Sequence, residues 1–221
     1  MKLTRCNTAT LLVVLAAFAL AAWYYPQLPD PVPTHWNVAG EIDGWTAKPM
    51  GVWLFPLLTL LLTGVMLILP VISPWGFRLD SARRAYDIVV LLLAGFLVAV
   101  QLLSYHAAIS GDGSVARAMP VMVGFLFVAL GNYLGKFPKN FFVGIRTPWT
   151  LASDEVWNRT HRLAGYLFMA AGVLVALSGF FRAPSWLFLA LVLPAALVPA
   201  LYSLLLYRRL HGFPADLEGE D

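Results

Sequence analysis

The sequence predicts an all-α integral membrane protein: a bundle of six transmembrane helices that makes one membrane domain of residues 1–221. Three observations predict it. Apolar residues make up 60% of the 221 and charged residues 12%, against roughly 45–50% and about 25% in soluble domains. Six apolar runs are readable, at 7–25, 50–71, 86–107, 118–134, 163–181 and 186–207, each close to the roughly 17–25 residues that a helix needs to cross hydrocarbon. The runs are continuous rather than alternating, so they lack the period-two pattern of barrel strands. Helices remain, because they satisfy their backbone groups within one segment.

The basic residues set the direction. Lys2 and Arg5, Arg78, Arg83 and Arg84, Lys136, Lys139, Arg146, Arg159 and Arg162, and Arg208 and Arg209 fall on one side of six alternating spans, and only Lys48, Arg117 and Arg182 on the other. The positive-inside rule then places both termini in the cytoplasm. The first run has a basic start and Ala-x-Ala sites that would suit a cleaved signal peptide. Its length and the closing Trp23, Tyr24 and Tyr25 read better as a membrane anchor ending in an interfacial belt.

The spans carry few ionisable groups. Asp87 lies one turn inside the third run, His106 near its far end, and Gln101 and Asn132 are the main uncharged amides. A proton- or ion-coupled transporter needs a buried relay, which this pattern does not offer. No HExxH, GxSxG or P-loop pattern is present, so the expectation is a protein that is not an enzyme and takes no cofactor. The single cysteine, Cys6, excludes an internal disulfide. The mild net charge of +3 suits anionic lipid headgroups, and without a long basic run or a nucleic-acid motif no direct nucleic-acid partner is expected.

Within the fifth run, Gly165, Gly172 and Gly179 recur every seven residues, a smooth stripe for close helix approach, either inside the bundle or across a homodimer. Pro56, Pro194 and Pro199 should bend their helices. Three spans per half suggest an inverted repeat, although the halves share no matching sequence.

Two loops hold more than a connection requires. The extracytoplasmic loop, 26–49, contains Pro26, Pro29, Pro31, Pro33 and Pro49, each fixing φ and biasing its predecessor toward extended backbone. His35, Trp36, Asn37, Gly40, Asp43 and Lys48 are the candidate ligand-binding residues, expected to form a hydrogen-bonded cap with a turn at Asp43-Gly44. His35, Asp43 and His106 match no metal-ligand spacing, so no metal is expected.

The cytoplasmic loop, 135–162, leads into an amphipathic helix that Ser153 can cap, with Asp154 and Glu155 in its first turn. Trp157 and His161 share a face at i, i+4, and Glu155 can pair with Arg159. Arg146, beside Thr147, Pro148 and Trp149, suits a cation–π contact with Trp149 or a defined acceptor such as Asp87, Asp154, Glu155 or an open helix-end carbonyl. Trp149 and Trp157 would seat the segment at the headgroup level.

These loops resemble a known family. Leu28 through Trp45, with Lys48, is similar to a domain of unknown function that often precedes the SdpI region. Gly131-Asn132-Tyr133 through Asn140, Gly144 through Leu151, and Val156-Trp157 through Thr160-His161-Arg162 resemble the SdpI signature itself. The resemblance implies a multi-pass protein of the bacterial inner membrane that protects against a secreted peptide toxin. It also implies signalling through a transcriptional repressor held at the membrane. On that basis Asn132, Asn140, Gly144, Arg146, Thr147, Pro148, Trp149, Trp157, His161 and Arg162 form the candidate signalling or structural motif. A non-enzymatic immunity or receptor protein is the leading expectation, ahead of a peptide or lipid transporter and of a membrane enzyme with a polar loop site.

Overall fold

A computed structural model describes residues 5–37, 41–75, 79–111 and 114–212. Gly40, Lys2, Arg78 and the acidic tail beyond Gly212 lie outside the described residues. Helix α1 spans Arg5–Tyr24, α2 Lys48–Ile72, α3 Arg83–Ser110, α4 Ser114–Leu134, α5 Pro148–Ala152, α6 Asp154–Phe180 and α7 Trp186–His211. Six of these are long and apolar enough to cross a membrane. Exposed leucines such as Leu12, Leu61, Leu201 and Leu205 present the apolar perimeter that a bilayer covers.

Within the all-α bundle the structured loop at residues 26–49 contains a small sheet. Strands β1, Val32–Trp36, and β2, Ile42–Thr46, form an antiparallel hairpin, the extended backbone that the prolines favour. Asp43-Gly44 is not the turn. Gly44 lies inside β2 opposite His35, where a Cβ would come 2.8 Å from the His35 Cβ. Asn37 and Glu41 are joined by backbone and side-chain hydrogen bonds.

The amphipathic helix expected at Ser153 and the fifth apolar run are one helix. At 27 residues, α6 is about 40 Å long, beyond the roughly 30 Å of hydrocarbon, so its first turns can carry the Glu155–Arg159 pair, 2.5 Å apart.

The bundle has two halves. Helices α1, α2 and α3 pack on one another, α6 packs on both α4 and α7, and α3 meets α4 between them. In the second half the glycine stripe is already occupied. A Cβ at Gly172 would lie 2.6 Å from the Gly124 carbonyl, and one at Gly165 would lie 2.8 Å from that of Gly131. Gly124 and Gly131 repeat the seven-residue spacing on α4, so the two backbones touch. Gly165, Gly172 and Gly179 are buried in α6 and offer no face to a homodimer. That alternative is corrected.

The first half is tied together through its prolines. Pro56 and Pro70 lie inside α2 and cannot donate to the carbonyls four residues earlier, those of Val52 and Met66. In lipid an open carbonyl has no water to turn to. Tyr105 donates its hydroxyl to the Val52 carbonyl at 2.5 Å and Tyr86 donates to the Met66 carbonyl at 2.6 Å, both tyrosines being fully buried in α3. Each proline thereby creates an acceptor that fixes α3 against α2.

Candidate functional site

At one end of the bundle the hairpin sits over the helix ends. Leu28, Val32, Val52, Tyr105 and Ala21 form a buried cluster beneath it, and Ser104 of α3 donates to the Pro33 carbonyl at 3.2 Å. The Asp30 carboxylate accepts from the Lys48 backbone N–H at 3.0 Å, supplying the N-terminal cap that Ala47 cannot give α2. Lys48 also lies over the Tyr25 ring, 5.1 Å from its centre.

Of the expected cap residues, His35 and Asp43 meet across the hairpin with Nδ1 and Oδ1 2.5 Å apart. Asn37 bonds Glu41, and Lys48 is held at the α2 terminus, so they form a chain of local contacts rather than one network. The Trp36 indole N–H is buried with no hydrogen-bond partner.

Beside the hairpin lies a cavity of about 1330 Å³, larger than the roughly 300–1,000 Å³ of small-molecule sites. Thr34, His35, Trp36 and Asn37 line one side, with Phe55 and Val100 from the first half of the bundle. The other side comes from α4 between Val115 and Val123 and from the ends of α6 and α7. Thr34, His35 and Trp36 belong to β1 and Asn37 follows it, and the hairpin is a two-stranded sheet in which β1 has β2 as its strand partner. Arg117 and Arg182 also line the cavity, and sequence reading had used them only as counted charges.

At the opposite end, residues 135–153 wind into a compact knot. Asn140, fully buried, donates to the Pro138 and Val143 carbonyls at 2.8 and 3.1 Å and accepts from the Phe142 and Val143 N–H groups at 2.8 and 2.7 Å. His161 accepts from the Ile145 N–H at its Nε2, 2.9 Å away, which leaves Nδ1 to carry the proton and donate to the Trp157 carbonyl at 2.8 Å. Gly144, with φ of +111°, passes so close that a Cβ would lie 2.2 Å from His161 Nε2. Thr147 caps α5 in a reciprocal box with Thr150, and its hydroxyl reaches Ser203 of α7 at 2.9 Å. Ser153 caps α6 and lies 3.1 Å from His211 at the end of α7.

Several expectations change here. Trp157 is not a headgroup anchor: it is 1% exposed, stacked on His161 with ring centres 3.9 Å apart, and donates to the Phe137 carbonyl at 2.9 Å. Its indole covers the loop from α6, and its N–H finds the Phe137 carbonyl there instead of a headgroup. Arg146 is exposed and donates to the Phe141 carbonyl, a loop acceptor rather than Trp149 or a carboxylate. The carboxylates are engaged elsewhere, Asp87 with Arg83 at 2.9 Å, Asp154 with Lys139 at 2.7 Å and Glu155 with Arg159. Pro148 starts α5 on the surface and Trp149 is half-buried, while Asn132 and Arg162 are exposed and stand outside the knot. Ser203 was the partner that sequence spacing could not supply, being more than fifty residues from Thr147.

Residues 136–203, which hold this knot and both helices it binds, match the SdpI/YfhL protein family. Residues 12–60, covering the hairpin and its flanking helix ends, match a domain of unknown function (DUF1648). The immunity protein SdpI of Bacillus subtilis (strain 168) is 23% identical over 211 residues, 93% of this chain and 98% of the relative. No solved structure matches the chain. With its six apolar helices and these similarities, the chain is a multi-pass protein of the bacterial inner membrane, in contact with the lipid bilayer.

Proposed function

We propose that the chain is a non-enzymatic membrane immunity or receptor protein that takes a secreted apolar peptide into the hairpin-end cavity. In this reading the hairpin faces outward, and both termini and residues 135–162 face the cytoplasm. The observation that carries it is the cavity lined by Thr34, His35 and Trp36 of β1, a strand whose one strand partner among the described residues is β2. An open strand edge offers backbone donors and acceptors to an extended peptide, while apolar walls take its side chains. A lipid tail would use the walls and leave the edge unpaired. The name of the Bacillus subtilis relative supports an immunity role, and the basic imbalance supports the orientation. On the cytoplasmic face the exposed Arg146, Arg162 and Arg209 offer charge to an acidic surface of a repressor.

The test is survival. Cells expressing the protein should withstand secreted peptides of competing strains that kill cells lacking it, and equal killing of both would remove the immunity role. In a chain with Cys6→Ser, an impermeant thiol reagent should label Gln27→Cys in intact cells and Arg162→Cys only after permeabilisation, and the reverse pattern would invert the topology. A second reading, transport of the peptide, draws on the place of the cavity between the two halves of the bundle. Uptake of labelled peptide into proteoliposomes would favour it over simple capture.

A further inference from the structure

The cavity has a charged corner that neither the hairpin nor the signature residues account for. Among the described residues its lining contains Arg117 and Arg182 and no aspartate or glutamate. Arg117 stands on α4 and Arg182 in the turn that follows α6, and their backbones flank Gly179: the Arg117 carbonyl lies 2.9 Å from where a Gly179 Cβ would be, and the Arg182 N–H approaches the Gly179 carbonyl at 3.4 Å. Arg182 is held there in an unusual way. It occupies the left-handed position that ends α6, with φ of +54°, between the Arg182-to-Gly179 bond and a 2.8 Å bond from the Ala183 N–H to the Ser178 carbonyl. Glycine is the ordinary residue at that position because a side chain is strained in it. Here a long cation stands instead, in the wall of the cavity. Helices α4 and α7 both begin at this end, so the positive ends of their dipoles face the same space.

Resting on the reading of the cavity as a peptide site, we infer that the peptide is held by an anionic end, its C-terminal carboxylate, with Arg117 and Arg182 as the anchor and its apolar body along the β1 edge. Two guanidinium groups beside two helix N-termini suit a carboxylate, whereas a basic end would be repelled by them and an amide would forgo the charge-assisted bonds.

The experiment uses the full chain in phosphatidylcholine nanodiscs, titrated calorimetrically with one short Val/Ile/Thr-rich synthetic peptide made as the free acid and as the C-terminal amide. The free acid should bind at least about tenfold more tightly, as a charge-assisted pair implies. That advantage should vanish in Arg117→Gln and in Arg182→Gly, with the affinity of the amide unchanged. Arg182→Gly suits the left-handed turn, so loss of folding does not confuse the result. Equal binding of acid and amide, or an advantage that survives both substitutions, overturns the anchor while leaving the peptide site standing. Absence of binding by either form overturns the site and the anchor together. Loss of peptide binding when phosphatidylglycerol replaces part of the lipid would give the corner to a lipid headgroup and overturn the inference.

Discussion

Asn140 and His161 at the signature end are closed to solvent, with the amide of one and both ring nitrogens of the other engaged. His35 and Asp43 at the hairpin end meet in a single contact with side chains 72% and 43% exposed, next to an indole N–H that has no partner and a cavity of about 1330 Å³. The same residue types, an imidazole and short polar groups, therefore do different things. Buried and fully bonded, Asn140 and His161 hold the 138–145 loop on itself and on α6, since breaking any of those bonds strands a polar group in an apolar surround. Exposed and paired once, His35 and Asp43 add little to stability and are free to exchange their partner for a ligand. The most densely hydrogen-bonded motif among the described residues is thus an internal fastening.

That contrast can be broken most easily at Gly144. Gly144→Ala should cost about 2–4 kcal/mol through left-handed strain and collision with His161, seen as loss of the monodisperse protein from detergent extracts, and normal yield would show that the knot is not the fastening described. Tyr105→Phe, beneath the hairpin, should leave the Val52 carbonyl unpaired above Pro56 and cost about 1–3 kcal/mol, read as a lower midpoint of thermal aggregation.

His35→Ala and Asp43→Ala should each change stability by less than about 1 kcal/mol yet reduce peptide binding and protection. A fall in membrane abundance comparable to that of Gly144→Ala would erase the distinction between the two ends. The smallest effect is expected at Arg146. Its acceptor is the exposed loop carbonyl of Phe141, which a lysine can also reach, so Arg146→Lys should accumulate as the wild type does, and a severe loss would mean that the planar guanidinium fork is needed after all.

Length and composition of the apolar runs were enough to determine the six spans, because crossing about 30 Å of hydrocarbon leaves a chain few alternatives. Local spacing also sufficed for the Trp157–His161 and Glu155–Arg159 pairs and for the Ser153 cap. What the sequence alone could not decide were relations between distant segments. Two heptad-spaced glycine sets do not announce that they face each other, nor do Pro56 and Pro70 that Tyr105 and Tyr86 answer their open carbonyls. The hairpin escaped notice because five prolines read as an irregular loop until their extended backbone finds a partner strand. Arg117 and Arg182, 65 residues apart, became one corner only when the close approach of α4 and α6, permitted by missing Cβ atoms, brought their backbones to either side of Gly179.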